Sequence, residues 1–242
     1  MYINMKDGCE IYVQILGQGY PILFLHGNSL SSRYFFRQKV LAERYQLIFM
    51  DSRGQGKSSK VTKDITFEQM SNDIHQVLET LKIKSCLIVG HSDGANLALM
   101  HCQQFPEEVE GMLLNGGNYE FMGLRPFSRL TAKLEIFGFD LLGLLSKRFK
   151  KMSAVVQLQK VDIPIDKALL KCLEIPVFVA VGQHDMILYK HSQEMARFFK
   201  HGRLIVVPHH GHFIAWTKPN LFHQLVDQLV ILILEQKNPI ES

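Results

Sequence analysis

The chain has few cysteines, and those it has are scattered. Cys9, Cys86, Cys102 and Cys172 include no pair with C-x-x-C spacing. This suggests neither a cysteine zinc site nor a disulfide framework, and free thiols fit a reducing compartment, so a cytoplasmic location is expected. The longest apolar run, "LVILIL" at 229–234, falls far short of the roughly 20 residues that span a bilayer. No stable membrane association is expected. The opening "MYINMKDGCEIYV" alternates instead of pairing a charged tip with a long apolar stretch, so no signal peptide is read. The formal charge is only +4 and "KRFKK" at 147–151 is the one dense basic tract, which gives no footing for a nucleic-acid partner. No HExxH or similar spacing is present, so no metal is expected. There is no internal repeat and no low-complexity segment.

What remains is apolar and regularly punctuated. Of 242 residues, 47% are hydrophobic, with 16 Phe and 10 Met, enough for one sizeable domain or one domain with an insertion. "MYINM" and "EIYVQIL" alternate around a Lys6-Asp7-Gly8 turn, a hairpin signal. "PILFLHG", "QLIFMDSRG", "SCLIVG", "VEGMLLNGG", "IPVFVAVG" and "RLIVVPHHG" read as strands, and stretches near 34–44, 67–82, 94–105, 189–200 and 219–236 as helices. Thr66 followed by Gln69 has capping-box spacing at the start of the second of these. Continuous apolar strands alternating with amphipathic helices predict a mostly parallel sheet covered on both faces, with an antiparallel edge from the N-terminal hairpin. From Asn118 to Leu173 the rhythm breaks and only helical patterns appear. The chain therefore divides into a core, 1–117 and 174–242, and a helical lid insertion, 118–173.

One motif carries chemistry. Gly90-His91-Ser92-Asp93-Gly94 is G-x-S-x-G between a predicted strand and a predicted helix, the context of a nucleophile elbow. A reactive side chain at the tip of a sharp turn needs neighbours without Cβ atoms. The N–H of Asp93 then falls at a helix N-terminus, where an oxyanion is stabilised. A serine alone is inert and needs a base and an orienting acid. The base is sought in "VVPHHGHFIAW": His212 lies in a loop past the last predicted strand, with His209 and His210 as rivals closer to it. The acid is sought in "VFVAVGQHD", where Asp185 follows a buried strand; a helix cap is its plainer role. "GQGKS" at 54–58 is not the end of a phosphate-binding loop, because Asp51 stands where that pattern needs glycine. Asp51, Arg53 and Ser58 read as partners that hold a loop together.

The order Ser92, Asp185, His212 resembles that of the α/β-hydrolase fold family. His26-Gly27-Asn28 after "PILFL" resembles the family's HG oxyanion loop, "DSRGQGKS" its D-x-R-G-x-G-x-S turn, and "GHFIAWTKP" its passage from the catalytic histidine into the last helix. The resemblance covers essentially the whole chain. It selects His212 over its neighbours and implies a Ser92–His212–Asp185 triad. It also implies an oxyanion hole from the N–H groups of Asn28 and Asp93, and no cofactor. A serine at the elbow disfavours chemistry that needs a carboxylate nucleophile. The implied reaction is hydrolysis of a carboxylic ester of a small or medium hydrophobic molecule through an acyl-enzyme, with water as second substrate. A C–C, lactone or thioester bond, or a non-catalytic receptor, are the alternatives. His26, Phe121, Phe127, Phe137 and Phe213 are the expected substrate contacts.

Overall fold

Strands buried on both sides define the architecture. β3 (Pro21–Leu25), β4 (Gln46–Met50), β5 (Cys86–His91), β6 (Val109–Asn115) and β7 (Pro176–Gly182) are buried almost throughout. Such strands satisfy their backbone only inside a sheet covered on both faces. The computed structural model describes residues 1–59 and 65–238, with the side chains of residues 147 and 148 excepted. With β1 (Tyr2–Asn4), β2 (Glu10–Leu16) and β8 (His201–Val207), these strands form one eight-stranded sheet in the order β1-β2-β4-β3-β5-β6-β7-β8. β1 pairs antiparallel with β2, and β2 with β4; every other pairing is parallel. This is the expected α/β-hydrolase-type sheet with its antiparallel N-terminal edge.

Two apolar layers sandwich the sheet. On one face α1 (Phe67–Leu81), α2 (Asp93–Gln104) and α6 (Tyr189–Arg197) contribute Ile74, Leu97 and Met195. On the other, a 3₁₀ segment Ser32–Glu43, α7 (Ile214–Thr217) and α8 (Pro219–Lys237) contribute Phe35, Ile214 and Phe222. At the start of α1 only half of the expected capping box forms. Thr66 Oγ1 accepts from Gln69 N–H at 3.1 Å, but the Gln69 side chain donates to Asp7 Oδ2 at 3.2 Å.

The D-x-R-G-x-G-x-S turn is structural, as its residues suggested. Asp51 accepts from the N–H groups of Ser32 and Lys57, both at 2.7 Å, and Ser58 Oγ donates to Asp51 O at 2.6 Å. Arg53 forks onto Asp73 and reaches Asp7 at 2.8 Å.

Between β6 and β7 the described residues form the helices α3 (Pro126–Leu145), α4 (Lys147–Gln157) and α5 (Lys167–Cys172), short 3₁₀ turns at Phe121–Gly123 and Leu158–Lys160, and one isolated bridge from Leu124 to Ile187. Pro126 opens α3 where its missing N–H has no intrahelical role. Ala132 and Ile136 face inward, whereas much of the helix's apolar surface faces solvent. Among the described residues no helix is long and apolar enough to cross a membrane.

Candidate active site

The strand-turn-helix run β5–Ser92–α2 builds the site from its backbone. Ser92 has φ 54° and ψ −122°, a left-handed value rare for a residue with a side chain. The residues two places before and after it must be glycine. A Cβ on Gly94 would lie 2.0 Å from Leu25 O, and one on Gly90 2.4 Å from Gly94 O. The strained turn is fixed from outside by Ser92 N–H donating to Asn115 O at 2.8 Å. Ser92 thus sits at the N-terminus of α2 with its side chain on a cleft of about 290 Å³.

His212 and Asp185 arrive on the loops after β8 and β7. His212 Nδ1 and Asp185 Oδ1 are 2.8 Å apart, with Asp185 1% exposed. A carboxylate only accepts, so Nδ1 carries the proton and Nε2 is left as an acceptor. Asp185 is held in turn by the N–H groups of Ile187 at 3.2 Å and Gly182 at 3.3 Å. The two loops are tied by His184 N–H donating to His210 O at 2.8 Å. A Cβ on Gly116, which has φ +63°, would lie 2.7 Å from the His212 ring. That glycine makes room for the imidazole. His212 lines the same cleft as Ser92. Among the described residues no hydrogen bond joins the Ser92 hydroxyl to His212; both line the one cleft. His209 is exposed, and the Nδ1 of His210 bonds to Pro208 O at 2.7 Å, so neither rival is engaged by Asp185.

The loop after β3 passes against Ser92: a Cβ on Gly27 would lie 3.0 Å from Ser92 Cβ. Asn28 follows it into the cleft wall. Its side-chain amide donates to Asp93 Oδ2 at 2.8 Å and to Val155 O of α4 at 2.7 Å. The Asp93 carboxyl is buried, and burial raises its pKa to about 6 against the lowering effect of its bond from Asn28.

Of the five expected substrate contacts, only Phe213 lines the cleft. His26 does not. It is 1% exposed, with Nε2 accepting from Ser52 N–H at 3.0 Å and Nδ1 next to Gly27 O at 2.8 Å. It braces the loop after β3 against the end of β4, and burial holds its pKa below the ordinary value. Phe127 and Phe137 point to solvent on the outer side of α3, 76% and 66% exposed. Phe121 lies under the Lys133 ammonium, 5.8 Å from the ring centre. Ser128, Thr131, Ala132 and Glu135 of α3 face the cleft instead. The missed residues are polar or small, and an apolar tally over 118–173 passes over them. His91 was also missed as a wall residue. Its ring stacks on Tyr34 at 4.2 Å, lies 4.7 Å from the His212 ring, and its Nδ1–H donates to Asn115 Oδ1 at 3.1 Å. Burial first, and His212 second, keep it neutral.

Beside the cleft, and sharing Ser29, Leu30 and Phe213 with it, runs a groove of about 1170 Å³ walled by Tyr34, Phe36 and Trp216.

A strained serine at a strand-to-helix corner, an imidazole–carboxylate pair on the next loops and an eight-stranded sheet define a class. The chain belongs to the alpha/beta hydrolase fold family, whose model matches residues 20–162. It is 22% identical to the AB hydrolase superfamily protein YisY of Bacillus subtilis over 94% of this chain and 97% of that one. It is 23% identical to the mouse serine hydrolase BPHL, over 93% and 84% of the two chains. Over an alignment of 123 positions, covering 47% of this chain and 31% of the other, it is 37% identical to a proline iminopeptidase of Arabidopsis thaliana. In structure it is similar to a thermophilic esterase from Thermogutta terrifontis, at TM-score 0.78 and 20% identity over 96% of this chain and 98% of that one.

Proposed function

We propose that the protein is a serine hydrolase that cleaves a carboxylic ester of a small to medium hydrophobic substrate. The hydrogen bond between His212 Nδ1 and Asp185 Oδ1, on the cleft that Ser92 lines, carries this reading. Asp185 orients the ring and stabilises its charged form. His212 Nε2 takes the Ser92 proton as Oγ attacks the carbonyl carbon, and the N–H groups of Asn28 and Asp93 hold the oxyanion. His212 returns the proton to the departing alcohol. Water then adds to the acyl-enzyme with the same histidine as base and frees the acid. α3 and α4 act as the lid, and the aromatic groove gives the hydrophobic portion of the substrate room. Incubation with p-nitrophenyl esters of several chain lengths tests the reading. Turnover that Ser92→Ala abolishes is expected; equal rates for the two proteins across the panel would refute it.

One observation favours a second reading. Asp93 and Glu135 both line the cleft, and among the described residues no lysine or arginine joins them there. Two carboxyls beside the nucleophile suit a substrate with an amino group near the scissile carbonyl, which would draw Asp93 into its ionised form. The proline iminopeptidase relatives are named for releasing such a residue. Comparing aminoacyl with simple acyl p-nitrophenyl esters separates the readings: a preference for the free amine that Glu135→Gln removes supports the second.

A further inference from the structure

α3 holds eight large apolar side chains exposed to solvent, Leu142 and Leu145 among them, and six of the eight follow one line along the helix. Phe127, Leu130, Leu134, Phe137, Leu141 and Leu144 are 53–82% exposed. Contiguous apolar surface of this kind marks a binding face. Their spacing is 3, 4, 3, 4 and 3 residues, the strict heptad seam by which one helix packs along another. An ordinary amphipathic helix shows a wider stripe of period 3.6.

The seam fits a reversed copy of itself. When α3 is laid antiparallel on α3 of a second copy about a two-fold axis between residues 135 and 136, Phe127 meets Leu144, Leu130 meets Leu141 and Leu134 meets Phe137. Every phenylalanine then faces a leucine. The flanking charges also match, because the same axis brings Lys133 of one copy beside Asp140 of the other. Lys133 and Asp140 are exposed. Asp140 accepts from Gln157 Nε2 at 2.9 Å and from Ser153 Oγ within its own chain, and a carboxylate has lone pairs left for an ammonium. The six side chains offer on the order of 700 Å² of surface, close to the roughly 800 Å² each partner gives a standard interface.

We propose that the protein is a homodimer whose copies pair through antiparallel α3 helices, joined by the Phe127–Leu144 seam and paired Lys133–Asp140 contacts. Such an interface is isologous and closes on itself. It would also hold α3 in place over the cleft that Ser128, Thr131 and Glu135 line.

Sedimentation velocity on the full chain at micromolar concentration tests this, and it does not depend on the catalytic reading. The mass of two copies is expected. Leu134→Glu should give a monomer with an unchanged circular dichroism spectrum. Lys133→Glu and Asp140→Lys should each weaken association by about ten-fold, and the double exchange should restore it. A wild-type monomer overturns the proposal. So does a dimer indifferent to Leu134→Glu, or one that the double exchange fails to rescue. Addition of phosphatidylglycerol vesicles covers the other occupant: a wild-type monomer that co-sediments with them, while Leu134→Glu does not, assigns the face to lipid and overturns pairing.

Discussion

The Asn28 side-chain amide donates to Asp93 Oδ2 at 2.8 Å, joining the loop after β3 to the residue that follows Ser92. The same amide reaches Val155 O at 2.7 Å, so the bond also ties α4 to the elbow. The buried acid in this bridge has a consequence for stability. Burial raises the Asp93 pKa from 3.8 to about 6. The folded state therefore holds this proton more tightly than the unfolded chain does. The stability so gained is complete below pH 3.8 and is lost as pH rises through about 6. Asp93→Asn should stabilise the protein by up to about 2–3 kcal/mol above pH 7, with the difference vanishing near pH 4. Urea unfolding of both proteins across that range checks it.

His191 gives the opposite slope. It stacks on Tyr119 at 3.9 Å, and burial lowers its pKa from 6.5 to about 4. Neutral in the fold, it is protonated first in the unfolded chain. Its contribution is complete above pH 6.5 and falls away towards pH 4. His191→Phe, which keeps a ring on Tyr119, should flatten the acid side of the stability curve between those values. An unchanged slope in thermal unfolding would count against this.

Gly116 is the position where one methyl group should damage catalysis most. Its φ of +63° strains any side chain, and a Cβ would lie 2.7 Å from the His212 ring. Gly116→Ala should cost about 1–3 kcal/mol of stability. By displacing the imidazole it should lower kcat about 100-fold, with little change in KM. Steady-state kinetics with a p-nitrophenyl ester separates the two parameters.

Asp185 is fixed by bonds that leave its role as His212's partner measurable. Asp185→Asn keeps the shape but presents an amide to Nδ1, which favours the wrong tautomer, and a loss of kcat of about 10⁴ is expected. Activity within a few-fold of wild type would reduce Asp185 to a structural residue of the β7 loop.

The sheet was legible because "PILFL", "CLIVG" and "VFVAVG" are apolar without interruption, and only a doubly covered sheet accommodates such strands. The corner at Ser92 was legible because its flanking glycines answer steric demands, and Gly94 in particular leaves no room for a Cβ beside Leu25 O. The walls of the cleft were not. Phe127 and Phe137 look like pocket residues in the sequence, but the helical phase of α3 turns them outward and turns Thr131 and Glu135 inward. That phase is set by Ala132 and Ile136 packing inward, which local pattern does not reveal. His26 misled for a related reason. The HG loop needs its histidine as a brace to Ser52, a contact made only when β3 and β4 lie side by side.

Covalent labelling of Ser92 tests the central claim most directly. The protein is treated with a fluorophosphonate and digested, and the adduct is located by mass spectrometry. One adduct per chain on the peptide containing Ser92 is expected, absent in Ser92→Ala and much slower in His212→Ala. No adduct, an adduct on another residue, or labelling indifferent to the loss of His212 would contradict the account.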